Sequence, residues 1–399
     1  MNKNYSCKIL LLTILLTILS IILITCAKYK KNPVGSEYFN ENKMGNEKSC
    51  IIYSAPSDTF FKNINVKTGI SSFLNIGAVQ NRNISAKSMI KIQFYPDTTQ
   101  IDSASLTLFI HKFYGQNNGI FSCSIYKVAK QWDDDSLSAK NFEPGFQGEY
   151  IKDFTASLND TIKSLAVSLP SDLVQSWLDS TTAENNYGLL FVPNNNQFIT
   201  EFYSSEADSN QPMLKLYTST EPDTAGNVYP SQIVAPTDDI FIPEGEFEPT
   251  SDHLFISNGL SLRVLMYFDV SQIPEKATIN KAFLTVYSDT TSAFPDNQET
   301  FTVSIFHTLN QNWTLPDVQI DSVTYSRIPI KSDSASADLT SSVQNWTSRM
   351  IENNGLLLMG RNEYMNLDYR KLYSSAADSS KKPSLKIFYS IPPEENFNN

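Results

Sequence analysis

The chain reads as an all-β protein built from two tandem antiparallel β-sandwiches, jelly-roll-like, each carrying one short helix. Three observations predict this. The four tryptophans fall into two matching sets, Trp132 with Trp177 and Trp313 with Trp346. The segments around them recur in the same order: Ser103–Phe109 over Lys281–Tyr287, Val174–Trp177 over Val343–Trp346, and Phe202–Asp208 over Leu372–Asp378. The offset drifts only from 178 to 169 across this register, so a whole fold is duplicated, whereas short solenoid units recur every 20–50 residues or so. Finally, apolar residues alternate with polar ones in many short runs, with no alternation of strands and long helices.

The strands follow in order from that alternation. Ile90, Ile92 and Phe94 are interleaved with Lys91 and Gln93, and Leu106, Leu108 and Ile110 follow the same rule. In the second half, Val264, Met266 and Phe268 are read as the equivalents of Ile90, Ile92 and Phe94, with Leu284 and Val286 next. Gly188–Val192 and Gly355–Met359 are continuous apolar runs, which suit central strands covered on both faces. Leu214 with Leu216, and Leu385 with Ile387, close each half just after Pro212 or Pro383. Leu173, Val174, Trp177 and Leu178 fall on one face of a helix, and Val343 with Trp346 repeats part of it. Trp177 and Trp346 are therefore read as packing anchors that seal one end of each sandwich.

The N-terminus carries a different signal. Lys3 and Lys8 precede an apolar or hydroxylic run from Ile9 to Thr25, closed by Cys26, which is the pattern of an export signal. Leu23-Ile24-Thr25-Cys26 resembles the lipobox of bacterial lipoproteins, which implies lipidation of Cys26 and a mature chain beginning there. Ala27 after that cysteine implies, by the same resemblance, the outer membrane of a bacterial envelope. A polar tether spans 26–49, too poor in apolar residues to offset backbone ordering. The expected boundaries are signal 1–25, tether 26–49, first repeat 50–218, linker 219–236, second repeat 237–390 and tail 391–399. Each repeat is long enough for its own core.

Removal of residues 1–25 takes away two lysines and no acid, leaving 29 basic against 42 acidic residues, a formal charge of −13. The basic residues are scattered among acids, so nucleic acid is excluded as a partner. Cys50 and Cys123 both lie beside strand-like runs. One disulfide between them and two unrelated small core residues are both open readings.

The order of these pieces resembles the DNRLRE-type domain, a β-sandwich module of exported prokaryotic proteins, some of them classed as carbohydrate-binding modules. The residues that carry the resemblance in the first half are Asp58-Thr59, Phe94, Ala104, Leu106, Leu108, Trp132, Trp177, Gly188 and Ser204. In the second half they are Asp238-Asp239, Arg263, Phe268-Asp269, Ala282, Leu284, Val286, Trp313, Trp346, Gly355 and Ser374. It covers nearly all of 50–390 and implies glycan binding without chemistry.

Candidate sites are few. His111, His253 and His307 are dispersed and none recurs in the other half, so no catalytic constellation is expected. Asp133-Asp134-Asp135 offers oxygen ligands of the kind Ca²⁺ takes. Its counterpart Thr314–Asp317 keeps one acid, and a solvated loop is the competing reading; no other cofactor is implied. A sugar needs exposed aromatic faces for its C–H groups and polar groups for its hydroxyls. Phe142, Phe146 and Tyr150 sit among glycines in a long insertion after Trp132. Tyr267, Phe283 and Tyr287, with Leu265, are expected to face outward where Gln93, Ser105, Phe109 and Lys91 stand in the first half. Something must cover that apolar face: loops, the other domain, or a ligand. The repeated Tyr203–Asp208 and Tyr373–Asp378 are read as turns stabilised by Ser and Asp side chains. The expected partner is an extracellular polysaccharide or cell-wall glycan, with the membrane held through the lipid. The alternative is a structural or adhesive surface protein, its sandwiches acting as spacers or as modules that bind an envelope protein.

Overall fold

The hydrophobic alternations fold into strands, although those through Ile90 and Val264 end at Lys91 and Met266, short of Ile92, Phe94 and Phe268, and the strands of each half fold back into an antiparallel sandwich. The computed structural model describes residues 46–392, apart from 95–97, 117, 180–185, 195–196, 220, 225, 249 and 296–298. The export signal, Cys26 and most of the tether lie outside the described residues. Lys48–Tyr389 form one compact unit.

The first half runs from β3 (Phe73–Val79) and β4 (Ile84–Lys91) through β5 (Ser103–Gly115), β6 (Gly119–Val128), β7 (Gln147–Leu158) and β8 (Ser164–Leu169). Helix α1 (Ser171–Leu178) follows, then β9 (Leu189–Pro193), β10 (Gln197–Tyr203) and β11 (Met213–Tyr217). The second half repeats the order: β14 (His253–Ser257), β15 (Leu262–Met266), β16 (Thr278–Tyr287), β17 (Phe301–His307), β18 (Ser326–Ile330), β19 (Ser334–Asp338), α2 (Thr340–Thr347), β20 (Leu356–Gly360), β21 (Tyr369–Tyr373) and β22 (Ser384–Ile391). Pairings repeat too. β9 lies between β4 and β6 as β20 lies between β15 and β17, β10 pairs β3 as β21 pairs β14, and β8 pairs β5 as β19 pairs β16.

Four further strands do not stay with the half that contains or adjoins them. β1 (Asn46–Tyr53) and β2 (Thr59–Lys62) precede the first half, yet β1 lies beside β22 and β2 pairs β15. β12 (Gln232–Val234) and β13 (Asp238–Gly245) precede the second half, yet they pair β11 and β4. The two pairs occupy equivalent seats, so each copy is completed by the strand pair that precedes the other. Two expected spans are refined accordingly: Asn46–Ser49 of the tether are strand, and Gln232–Val234 of the linker are a paired strand.

The first core is packed from alternate residues of β3, β5, β6, β8 and β11, closed by α1. Leu74, Leu106, Phe121, Val167 and Leu214 are all buried. The continuous runs behave as expected for covered central strands. Leu189 and Phe191 face this core, while Leu190 faces outward under Trp132, Leu137 and Phe146. In β20, Leu357 is likewise covered by Trp313, Val318 and Ile320. Trp132 and Trp313 have matching surroundings: their indole N–H groups donate to the carbonyls of Tyr187 (2.8 Å) and Asn354 (3.2 Å), each just before a glycine of positive φ. Trp177 and Trp346 are both nearly buried on the helices, at 6% and 5% exposure.

The strand registers correct one equivalence. Ile90 pairs Leu189, and Met266 pairs Leu356, so Ile90 corresponds to Met266 and Met89 to Leu265. Met89 and Leu265 are both outward-facing and both fully buried, because the loop after β6 covers one and the loop after β17, with Phe61 of β2, covers the other. The greater apolarity expected of the second half at Leu265 therefore vanishes, and loops plus an exchanged strand are its cover.

A separate apolar cluster joins the halves. Val79, Ile84, Tyr114 and Ile199 from the first pack with Leu260, Phe294, Leu367 and Tyr369 from the second. The Tyr114 hydroxyl donates to Glu201 (2.6 Å) and accepts from the Leu367 N–H (3.1 Å), so a polar bond reinforces the joint. Cys50 on β1 and Cys123 in the first core are both free thiols, and burial pushes the Cys123 thiol up to about 12.

Candidate functional site

The turn joining β3 to β4 is where the chain gathers polar side chains beside open space. Gln80–Arg82 make one 3₁₀ turn, and Asn83 closes it in the left-handed region at φ 53°, a conformation Asn tolerates better than most residues. Two clefts flank this turn. One, of about 660 Å³, is lined by Gln80, Asn81, Arg82, Gln116 and Gln197, with Phe294 and Pro295 from the second half. Gly115, at φ 91°, lets the wall come close, since a Cβ there would lie 2.8 Å from the Gln197 carbonyl oxygen.

The other cleft, of about 740 Å³, lies where the exchanged strands meet the insertion after Trp132. Asn83, Ser85 and Phe142 face Ile242–Glu246, with Lys62 at the end of β2. Its polar groups are already oriented. The Asn83 amide donates to the Glu246 carbonyl (3.0 Å), the Ser85 hydroxyl donates to Glu244 (3.3 Å), and Lys87 pairs with Glu244 at 2.6 Å. Burial lowers the Lys62 ammonium below its ordinary range, with Glu244 and Glu246 acting in the opposite sense. Phe142 is half-buried, its ring stacked on Phe146 at 5.6 Å and 10°, and the Lys87 ammonium lies 5.8 Å from its centroid.

Chemically, the clefts offer neutral amides, a hydroxyl, carboxylates, the Arg82 guanidinium, the Lys62 ammonium and one partly open ring. Such groups bond hydroxyls in both directions and rest against C–H surfaces. No histidine or cysteine is among the described residues lining either cleft.

Of the residues expected to bind ligand, only Phe142 and Phe146 are brought together, and Phe146 lies beneath at 8% exposure. Tyr150 is 53% exposed on β7, its ring 5.7 Å from that of Tyr126. Tyr267 follows β15 and is half-buried. Phe283 and Tyr287 lie on β16, in a different sheet, the first exposed and the second half-buried. The six do not make one surface.

The three aspartates also diverge. Asp133 accepts from the Ser136 hydroxyl (2.7 Å), and Asp135 is exposed. Asp134 turns toward other acids: burial first, then Asp238, Glu206 and Asp135, raise its carboxyl above the usual range. Among the described residues, no group of three or more His, Cys, Asp or Glu has a metal-holding arrangement. The histidines stay apart, His111 against Glu201 at 2.6 Å, His253 against Asp252 at 2.7 Å and His307 in the second half's interior.

Sequence reasoning missed a latch built on the repeated Tyr-Ser-Ser motif. Both copies form a turn, with Ala207 N–H on the Ser204 carbonyl (3.3 Å) and Ala377 N–H on that of Ser374 (3.2 Å). Each turn then holds the exchanged strand. Ser205 N–H donates to Asp239 (2.7 Å), while Ser375 donates to Asp58 through both its N–H and its hydroxyl (2.6 Å each). Burial raises both aspartates, Asp239 well above the carboxylate range because it is almost wholly buried, and Glu206 then adds a like charge that Ala376 cannot supply in the second copy. The signal was present as Asp58 and Asp238-Asp239 heading equivalent strands; what it lacked was the partner.

The TGF-beta propeptide family model matches residues 193–385, just under half of the chain and running from β9 to β22. No curated protein matches. Among solved structures, one titled "BspA_C_WT" is 8% identical over 80% of this chain and 87% of that one, with a TM-score of 0.14. Another, titled "Structure of the Macrobrachium rosenbergii Nodavirus", is 8% identical over 91% and 94% of the two chains, with a TM-score of 0.12.

Proposed function

We propose that this chain is an exported, lipid-anchored envelope protein whose twin sandwiches bind extracellular polysaccharide or cell-wall glycan without catalysis. The observation that carries the reading is the cleft of Asn83, Ser85, Lys62 and Phe142, where hydroxyl-bonding groups surround a ring already fixed by stacking on Phe146. The DNRLRE-type resemblance and the anchor at Cys26 support it. The TGF-beta propeptide match over 193–385 supplies no ligand.

On this reading the mature protein is retained on a broad polysaccharide array, and Phe142→Ala weakens retention at least tenfold, about 1.4 kcal/mol, while its thermal unfolding stays within a few degrees. A folded wild-type chain retained by no polysaccharide overturns the proposal.

A second reading, a structural surface protein whose sandwiches bind or space other envelope proteins, is favoured by the reciprocal strand exchange, which locks both copies into one body. Crosslinking in the native envelope separates the two: one stoichiometric protein partner favours the spacer, and recovered glycan favours the binder.

A further inference from the structure

We infer that β1–β2 is an exchangeable donor, and that its seat on the second sandwich takes the same strand pair from a second copy of this chain, linking copies together. The seat is non-covalent throughout. Ser54 N–H donates to the Pro383 carbonyl (3.0 Å) and Ala55 N–H to that of Tyr267 (2.8 Å). β2 pairs β15 from Thr59↔Leu265 to Lys62↔Leu262, Phe61 packs against Leu265 and Leu357, and Asp58 holds Ser375.

The first sandwich shows that such a seat accepts a donor arriving by another covalent route. β12–β13 fills it directly from the end of β11, whereas β1–β2 reaches the second sandwich from the far end of the sequence. The contacts are equivalent, down to an aspartate on the Tyr-Ser-Ser turn, so the seat reads the strand pair and not its connection.

The two donors differ in one respect. β12–β13 is joined to folded strands at both ends and leaves only if a whole copy moves. Among the described strands β1–β2 is joined in sequence only to β3, through residues 63–72, of which Thr68 is fixed by its hydroxyl on the Phe241 carbonyl. Before it, the Asn63 N–H is bonded to the Ser261 carbonyl of the seat (2.8 Å) and the Ile64 carbonyl accepts from the Lys140 N–H (3.0 Å), so departure breaks these two bonds as well; the released stretch 63–67 spans at most about 17 Å when extended, at roughly 3.3–3.6 Å per residue. It allows the pair to swing to a neighbouring copy without unthreading. A short hinge and a complete replica of every contact are the conditions under which identical elements exchange between protomers. Within one chain the tethered donor has a high effective concentration, so exchange grows with protein concentration. The occupant is a second copy because the β1–β2 of any copy carries Asp58, Phe60 and Phe61 in register for the seat.

Two full-length variants, one Thr59→Cys and one Leu265→Cys, test this in a background of Cys7→Ser, Cys26→Ser, Cys50→Ser and Cys123→Ala, which removes all four native cysteines. They are refolded together from denaturant and oxidised. Thr59 and Leu265 face each other, so a disulfide between the two chains forms only when β2 of one pairs β15 of the other. The expected result is an interchain product several-fold above that of either variant refolded alone, rising with concentration. Product no greater than those blanks, while a chain carrying both cysteines closes within itself, overturns the inference. The unsubstituted chain, refolded over the same concentrations, is expected to yield dimer by native mass spectrometry; monomer at every concentration overturns it independently.

Discussion

His307 illustrates what burial does to a titratable group here. Its ring is 3% exposed, stacked on Tyr325 at 3.6 Å, with Nε2 2.9 Å from the Ser342 hydroxyl and Nδ1 unpartnered. Desolvation lowers its pKa to about 4, from an ordinary 6.5. The folded state therefore binds fewer protons than the unfolded chain between those values, so stability present above pH 6.5 is lost as pH falls toward 4. Buried Asp368, raised to about 6 by desolvation, works in the opposite sense over much of that window, and a single substitution separates the two. His307→Phe keeps the stack and removes the proton site. Between pH 7.5 and 4.5 the wild type should lose about 1–2 kcal/mol more than this variant in urea unfolding, screening included; equal losses would refute the assignment. At this scale the sequence was least legible. It set the histidines apart as non-convergent, but burial and partners depend on pairings far away in the chain. Asp133–Asp135, an obvious triplet in sequence, splits because neighbouring loop residues point in different directions.

Elements were legible wherever a local period set them. β9 and β20 read as covered central strands because both faces are apolar, and α1 and α2 read as helices from four and two residues of one stripe. The aromatic insertion after Trp132 was harder. Phe146 with Trp132 is there to roof Leu190 and Met89, a packing task that leaves Phe142 at the edge of a cleft. The glycines before β9 and β20 show how tightly those roofs are drawn. Gly188 and Gly355 have φ of 91° and 105°, and a Cβ would run into the Ile90 carbonyl at the first and lie 2.6 Å from the Trp313 ring at the second. Gly226 has φ of 83° with nothing within 4 Å. Changing Gly226 to Ala should cost only the left-handed penalty, about 1 kcal/mol, while Gly188→Ala and Gly355→Ala should each cost about 2–4 kcal/mol. Of the latter two, Gly188→Ala should be the worse, because a backbone carbonyl yields less than a ring edge. Chemical unfolding of the three variants checks the order.

For the molecule as a whole, duplication was visible and exchange was not, for a physical reason. The two seats are equivalent, so β1–β2 satisfies the hydrophobic pattern of either copy, and only geometry beyond the sequence decides which it completes. That choice changes how the protein should unfold. Independent twins would melt separately, and a chain of this length ordinarily departs from two-state behaviour. Here each copy seats a strand pair that lies in sequence with the other: loss of the second copy's order leaves β1–β2 without its seat, and loss of the first leaves β12–β13 without its own. The cluster of Tyr114, Ile199, Leu260 and Leu367 is lost in both cases. The two halves should therefore unfold in one calorimetric transition. Leu106→Ala and Leu284→Ala supply the test, since each empties a fully buried site in one core and should cost about 2–5 kcal/mol. Coupled copies predict that either substitution lowers the whole transition and leaves it single. A curve that splits, with one component left at the wild-type temperature, would mean that the exchanged strands hold the copies side by side without making their stabilities one.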